Sequence, residues 1–127
     1  MLSLALALFI ACGGAPAAPA TPPEVAVAPP PAQVHPKPSP EVLAEGKRVY
    51  EAYCQACHQA DGTGMNGMLG ANFKADKTRL AKDDATLIES ITKGKTGTIG
   101  VMPPWGETLT SEEVTAVLGY LRDTYGD

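Results

Sequence analysis

The chain has 127 residues and a formal net charge of −4, and this length provides for one domain at most. Ten of its twelve prolines fall between Pro16 and Pro40, so the part suited to folding runs from about residue 40 to residue 127. Its Lys and Arg residues form no cluster, which argues against nucleic acid as a partner.

Residues 1–11 are almost wholly apolar and are followed by Cys12 and two glycines. Eleven residues are too few to span a bilayer, which takes about 20, but they suit the hydrophobic region of a signal peptide. The run Phe9–Cys12 resembles a bacterial lipobox, in which the cysteine becomes lipidated. We therefore expect export to the periplasmic side and a lipid anchor at Cys12 in the membrane. The alternative is a plain cleaved signal in which Cys12 is incidental.

Residues 12–39 are rich in Ala, Pro and Val and carry almost no charge. Such a composition favours extended polyproline geometry and offers no periodic apolar face for burial. We predict that this segment is a linker. The 27 residues from Gly13 to Ser39 would reach up to about 80 Å at about 3.1 Å each.

Residues 40–127 are predicted to form an all-α domain with three main helices and no strand. The helices, each with its N-cap residue, are predicted over 40–53 (Ser39), 84–93 (Asp83) and 111–125 (Thr110). Glu113 completes a capping box with Thr110. Their apolar stripes comprise Val42, Gly46, Val49, Tyr50 and Tyr53 in the first helix, Leu87, Ile88 and Ile91 in the second, and Val114, Val117, Leu118, Leu121 and Tyr125 in the third.

The motif Cys54-Gln55-Ala56-Cys57-His58 lies where the first predicted helix ends. Cysteines three residues apart match the two vinyl groups on one edge of a haem, and the adjacent histidine is then placed under the iron. A zinc site would need two more ligands, yet the remaining candidates, Cys12 and His35, lie outside the domain. A redox disulfide of the thioredoxin kind is typical of a βαβ unit, and no strand is predicted here. A purely structural pair of cysteines would leave His58 unexplained. The motif predicts one covalently attached haem c.

The second axial ligand is predicted to be Met102, in the sequence Gly100-Val101-Met102-Pro103-Pro104-Trp105. The two prolines hold this backbone extended, which fixes an otherwise flexible thioether. Met65 and Met68 follow His58 too closely to reach the opposite face of the macrocycle easily, and His35 is distant. Trp105 is predicted either to pack near a haem propionate or to be a core tryptophan.

With these motifs, residues 40–127 resemble the class I cytochrome c family. The resemblance implies a small cytochrome c fold in which the N- and C-terminal helices cross, with Gly46 and Tyr50 at the crossing and Val117 and Tyr120 as their partners. It also implies a proline after the motif whose carbonyl accepts the proximal histidine's N–H. Here no proline occurs between His58 and Pro103, and a backbone carbonyl in residues 70–73 is expected to substitute.

His/Met ligation leaves no open site for substrate, so the predicted function is single-electron transfer by a monomer, not catalysis. Redox proteins, as donor and acceptor, are the expected partners. Two alternatives stay open: an electron-donating subunit of a fixed oxidase or reductase complex, and a haem sensor or enzyme with a labile sixth ligand.

Overall fold

The computed structural model describes residues 35–126. The predicted signal peptide, the lipid-anchor cysteine Cys12 and most of the predicted linker lie outside these residues, so the structure does not test them. Among the helices of residues 35–126, none combines the length and the apolar character needed to cross a membrane.

The first helix, α1 (Pro40–Val49), continues through a π-helical turn (Tyr50–Cys54) into the short α2 (Gln55–His58). The Ser39 hydroxyl caps α1 as predicted, accepting a hydrogen bond from the Val42 N–H at 3.4 Å. The prediction that the first helix ends near residue 53 was wrong, because no helix breaker intervenes before Gln59. At Gln59 φ is +64°, and the helical backbone ends there. The whole haem-attachment motif consequently lies on helical backbone.

The segment after the motif is built from tight turns. The short helix α3 (Gly64–Gly67) contains two residues with left-handed backbone, Met65 and Asn66, at φ +49° and +59°. A 3₁₀ turn (Lys77–Arg79) follows. α4 (Asp84–Lys93) has the predicted bounds, and its N-cap Asp83 accepts from the Thr86 N–H at 2.8 Å.

A two-stranded antiparallel sheet, β1 (Lys95–Gly97) and β2 (Gly100–Met102), corrects the prediction that the domain has no strand. Each strand has three residues, too few to show an alternating apolar pattern in the sequence. Lys95 pairs with Met102 and Gly97 with Gly100. This hairpin places Met102 at the end of a strand.

The last helix, α5 (Ser111–Tyr125), has the predicted bounds and a complete capping box. Thr110 Oγ1 accepts from the Glu113 N–H at 3.2 Å, and the Glu113 carboxylate accepts from the Thr110 N–H at 2.9 Å. Its predicted apolar stripe is buried throughout.

The core lies mainly between α1 and α5, which cross as the family resemblance implied. A methyl group at Gly46 would come 2.7 Å from the Ala116 carbonyl carbon and 2.7 Å from Tyr120 Cβ. Gly46 therefore faces Tyr120 as expected and also meets the backbone of Ala116, while the predicted partner Val117 is buried in the same core. Val42, placed on the apolar face of the first helix from the sequence, is 39% exposed.

Candidate functional site

A cavity of about 300 Å³ opens between α2 and the β1–β2 hairpin. Five residues selected from the sequence line it: Cys54, Cys57, His58, Met102 and Trp105. The rest of the wall is largely apolar, with Leu69, Ile99, Val101 and Pro103 among its side chains. The fold thus brings residues more than forty positions apart in the sequence to one pocket.

The two motif cysteines are free and half-buried on the cavity wall. Burial raises the pKa of the Cys54 thiol to about 11, and the neighbouring Cys57 adds to this effect. Redox-active Cys-x-x-Cys pairs need the opposite shift, because the thiolate is the nucleophile. The surroundings of Cys54 therefore do not favour the redox-disulfide interpretation.

The imidazole of His58 lies against the backbone of the loop that follows the motif. Its Nδ1 is 3.4 Å from the carbonyl oxygen of Ala71. Because a carbonyl can only accept, Nδ1 carries the proton in this hydrogen bond and Nε2 keeps its lone pair. Burial lowers the pKa of His58, partly offset by the Ala71 bond, and so favours the neutral form that binds metals. The expectation of a substitute carbonyl within residues 70–73 is confirmed.

The three methionines of the described chain differ in position. Met102, half-buried at the end of β2, packs against the core and lines the cavity. Met65 and Met68 are 46% and 80% exposed and are not among the lining residues. His35, the other axial candidate considered from the sequence, lies instead against Arg122 and Asp84.

Trp105 follows the hairpin and belongs to both the cavity wall and the core. Its ring meets Tyr53 edge-on at a centroid distance of 5.4 Å, and its backbone N–H donates to the Ile91 carbonyl at 3.0 Å. This packing agrees with a core tryptophan, and a contact with a haem propionate stays a prediction.

Two cationic residues on the cavity wall, Arg79 and Lys95, were not selected from the sequence. Arg79 Nε is buried and lies 3.1 Å from Asp76 Oδ2 without forming a hydrogen bond. Nothing in the polar run 74–84 distinguishes Arg79 from its charged neighbours, so only the fold could have identified it.

Comparisons with known proteins assign the chain to a family. The family model described as "Cytochrome C oxidase, cbb3-type, subunit III" matches residues 41–121. Cytochrome c6 of Cladophora glomerata is 31% identical over 84 residues, which are 65% of this chain and 89% of that protein. The chain belongs to the class I c-type cytochromes. As a cytochrome of this class it carries covalently bound haem c.

Two further relatives differ in how much of their own length the chain covers. The cbb3-type oxidase subunit CcoP of Azospirillum sp. (strain B510) is 33% identical over 89 residues, 66% of this chain but 29% of that subunit. Cytochrome c-555 of Chlorobaculum tepidum is 36% identical over 84 residues, 61% of this chain and 72% of that protein. The chain thus spans under a third of the oxidase subunit. No solved structure was found to match it.

The cavity fits the cofactor of these cytochromes. It combines two free thiols one helical turn apart, a neutral imidazole, a thioether and apolar walls. Arg79, whose Nε is paired with the Asp76 carboxylate at 3.1 Å, and Lys95 supply positive charge on the same wall for the carboxylates of a haem. These donors suit a haem of the c type.

Proposed function

We propose that this cytochrome is a monomeric single-electron carrier with His/Met ligation, and that it is not an enzyme. Cys54 and Cys57 would hold the haem through two thioethers, and His58 Nε2 and Met102 Sδ would bind its iron. When bound, haem c supplies an iron that accepts or releases one electron. The observation that carries the proposal is Met102 on the wall of the cavity that also holds His58 and both cysteines.

The axial residues favour a high reduction potential. The Met102 thioether is a soft ligand that stabilises Fe(II), and the apolar side chains of Leu69, Ile99 and Val101 disfavour the extra charge of Fe(III). Arg79 and Lys95 would face the propionates, since they are the cations on this wall. Trp105, which lines the same wall, is proposed as a further haem contact. Such a site suits a carrier late in a respiratory chain.

We also propose that the protein is exported and held at a membrane through lipid on Cys12. The apolar residues 1–11 and the small residues after Cys12 support this processing. The proline-rich residues 12–39 would then act as a tether to the cytochrome domain of residues 40–127. Its partners are redox proteins within reach of that tether.

The experiment that tests the ligation is the Met102→Ala substitution in the full chain. The oxidised variant should lose the weak red sulfur-to-iron charge-transfer band, its reduction potential should fall, and its ferrous form should bind carbon monoxide. Met65→Ala and Met68→Ala are the matched controls, and both should keep the band because these side chains do not line the cavity. A wild-type spectrum in Met102→Ala would refute the assignment. Ready binding of carbon monoxide by the wild type would favour a sensor or enzyme instead.

A second candidate function is that of an electron-donating subunit fixed in an oxidase complex. The match to the family of cbb3-type oxidase subunit III favours it. In membranes solubilised with mild detergent, a mobile carrier would migrate as a single small chain plus detergent. A fixed subunit would instead migrate together with oxidase activity.

A further inference from the structure

The proximal side of the haem cavity has no proline to receive the His58 N–H. The carbonyl of Ala71 takes that place, 3.4 Å from Nδ1. This distance is at the long end for a hydrogen bond, so small movements of the loop backbone would make or break it. The residues that hold Ala71 and the imidazole ring in position therefore control the bond.

Gly70 brings the loop backbone against the motif. Its φ is +82°, a left-handed conformation that favours glycine. A methyl group there would lie 2.6 Å from the Cys57 carbonyl oxygen and 3.2 Å from His58 Nδ1. On the other side of the loop, a methyl group at Gly64 would lie 2.7 Å from the Ala71 carbonyl oxygen. The Ala71 carbonyl can therefore occupy this position only because Gly64 and Gly70 have no side chains.

Phe73 holds the imidazole ring itself. Its ring stacks on the His58 ring at a centroid distance of 4.8 Å and an interplanar angle of 12°. Phe73 is only 7% exposed, and its ring also stacks on that of Tyr125 in α5 at 6.0 Å. Its backbone N–H donates to the Gly62 carbonyl at 2.8 Å. The Phe73 ring is therefore fixed between the imidazole and α5.

We propose that Gly70 and Phe73 are positioning residues that set the hydrogen bond and the plane of the proximal imidazole. Gly70 allows the Ala71 carbonyl to accept from Nδ1, which increases the electron donation of the imidazole. Phe73 restrains rotation of the ring through the parallel stack. The inference rests on the proposed function, because it takes His58 as the iron ligand.

The test compares Gly70→Ala with Gly67→Ala in the haem-loaded full chain. Both glycines have left-handed φ, +82° and +80°, but a methyl group at Gly67 meets nothing within 4 Å. Both variants thus carry the same kind of backbone strain, and only Gly70→Ala presses on the Cys57 carbonyl and Nδ1. The readouts are the hyperfine-shifted haem methyl resonances of the oxidised protein, which depend on the axial imidazole plane, and the reduction potential.

Gly70→Ala should change the pattern of methyl shifts and raise the potential, because a weaker hydrogen bond leaves the imidazole a poorer donor to Fe(III). Gly67→Ala should match the wild type in both. Equal shifts and potentials in the two variants would overturn the role of Gly70.

Phe73→Leu tests the role of Phe73 separately, and does so even if Gly70→Ala does not accumulate with haem. The methyl-shift pattern should change, and the Nδ1 proton should exchange faster with solvent, because the ring is free to rotate. Unchanged shifts and exchange would overturn the role of Phe73. Failure of the proposed function would be visible earlier, in a wild-type protein without a low-spin c-type spectrum.

Discussion

The thiols of Cys54 and Cys57 are the reactive groups of this domain, yet the protein environment does not activate the first of them. The raised pKa of Cys54 keeps it a neutral thiol in the folded chain. Its value to the protein lies in position: one helical turn from Cys57, on the wall of an apolar cavity. The spacing of the two thiols on this wall suits the two vinyl groups on one edge of a haem.

Replacing either cysteine should remove one covalent link. In the denatured wild-type protein, mass spectrometry should show the chain plus one haem. Cys54→Ser and Cys57→Ser should each keep a single thioether, and the double variant should lose its haem to acidified organic solvent. A haem that is extractable from the wild type would contradict attachment through this motif.

Individual site residues differ in how visible they are in the sequence. The motif and Met102 were predictable because their spacing and flanking prolines follow from the chemistry of haem attachment and ligation. Gly70, Phe73 and Arg79 were not, because their roles arise from contacts that only the fold creates: a close approach to the Cys57 backbone, a ring stack on His58 and a place on the cavity wall. The missing proline was the one sequence signal that pointed to the region of Ala71.

At the scale of elements, capping residues explain which boundaries were predictable. α4 and α5 begin where Asp83 and Thr110 satisfy the free N–H groups of the first turn, and both helices have the predicted bounds. The continuation of α1 into α2 was missed because it passes through a π-helical turn, which has no sequence signature. The hairpin was missed because its strands have three residues each.

The crossing of α1 and α5 should be sensitive to a single methyl group. Gly46→Ala should lower the free energy of unfolding by about 1–3 kcal/mol, since the new methyl group presses on the Ala116 backbone. Urea denaturation followed by circular dichroism measures this change.

Gly119→Ala in α5 is the matched control for Gly46→Ala. There the new methyl group meets the ring of Pro38 at 2.9 Å, at the edge of the domain. If this ring shifts, the substitution should be neutral or stabilise by about 0.5–1 kcal/mol through the higher helix propensity of alanine. A Gly46→Ala variant as stable as the wild type would show that the helices do not touch at Gly46.

At the scale of the whole domain, Arg122 connects three parts of the chain. Its Nε donates to the Leu80 carbonyl at 3.1 Å and its Nη2 to the Lys82 carbonyl at 2.7 Å. Nη1 binds the Asp84 carboxylate and also lies 3.1 Å from His35 Nδ1. The side chain is only 14% exposed, so these contacts are little screened by water. Arg122 thereby holds α5, the start of α4 and the residues before α1 together.

Arg122→Met should keep much of the apolar stem while removing the hydrogen bonds. We expect a loss of about 1–3 kcal/mol in the free energy of unfolding, because two backbone carbonyls lose a charged donor. Arg48→Met is the control: Arg48 binds Glu45 and Glu113 but is 53% exposed, so the effect should be smaller. The ranking can be read from urea midpoints, and a reversed order would contradict it.

The residues just before α1 also determine how a mechanical load would enter the domain. Pro38 lies on Gly119, Lys37 is 3.5 Å from Asp123, and His35 lies against Arg122 and Asp84. A pull from the N-terminal side is therefore borne first by α5 and the start of α4, before it reaches α1. The β1–β2 hairpin with Met102 is not part of this path, so tension on the chain would leave the Met102 side chain in place.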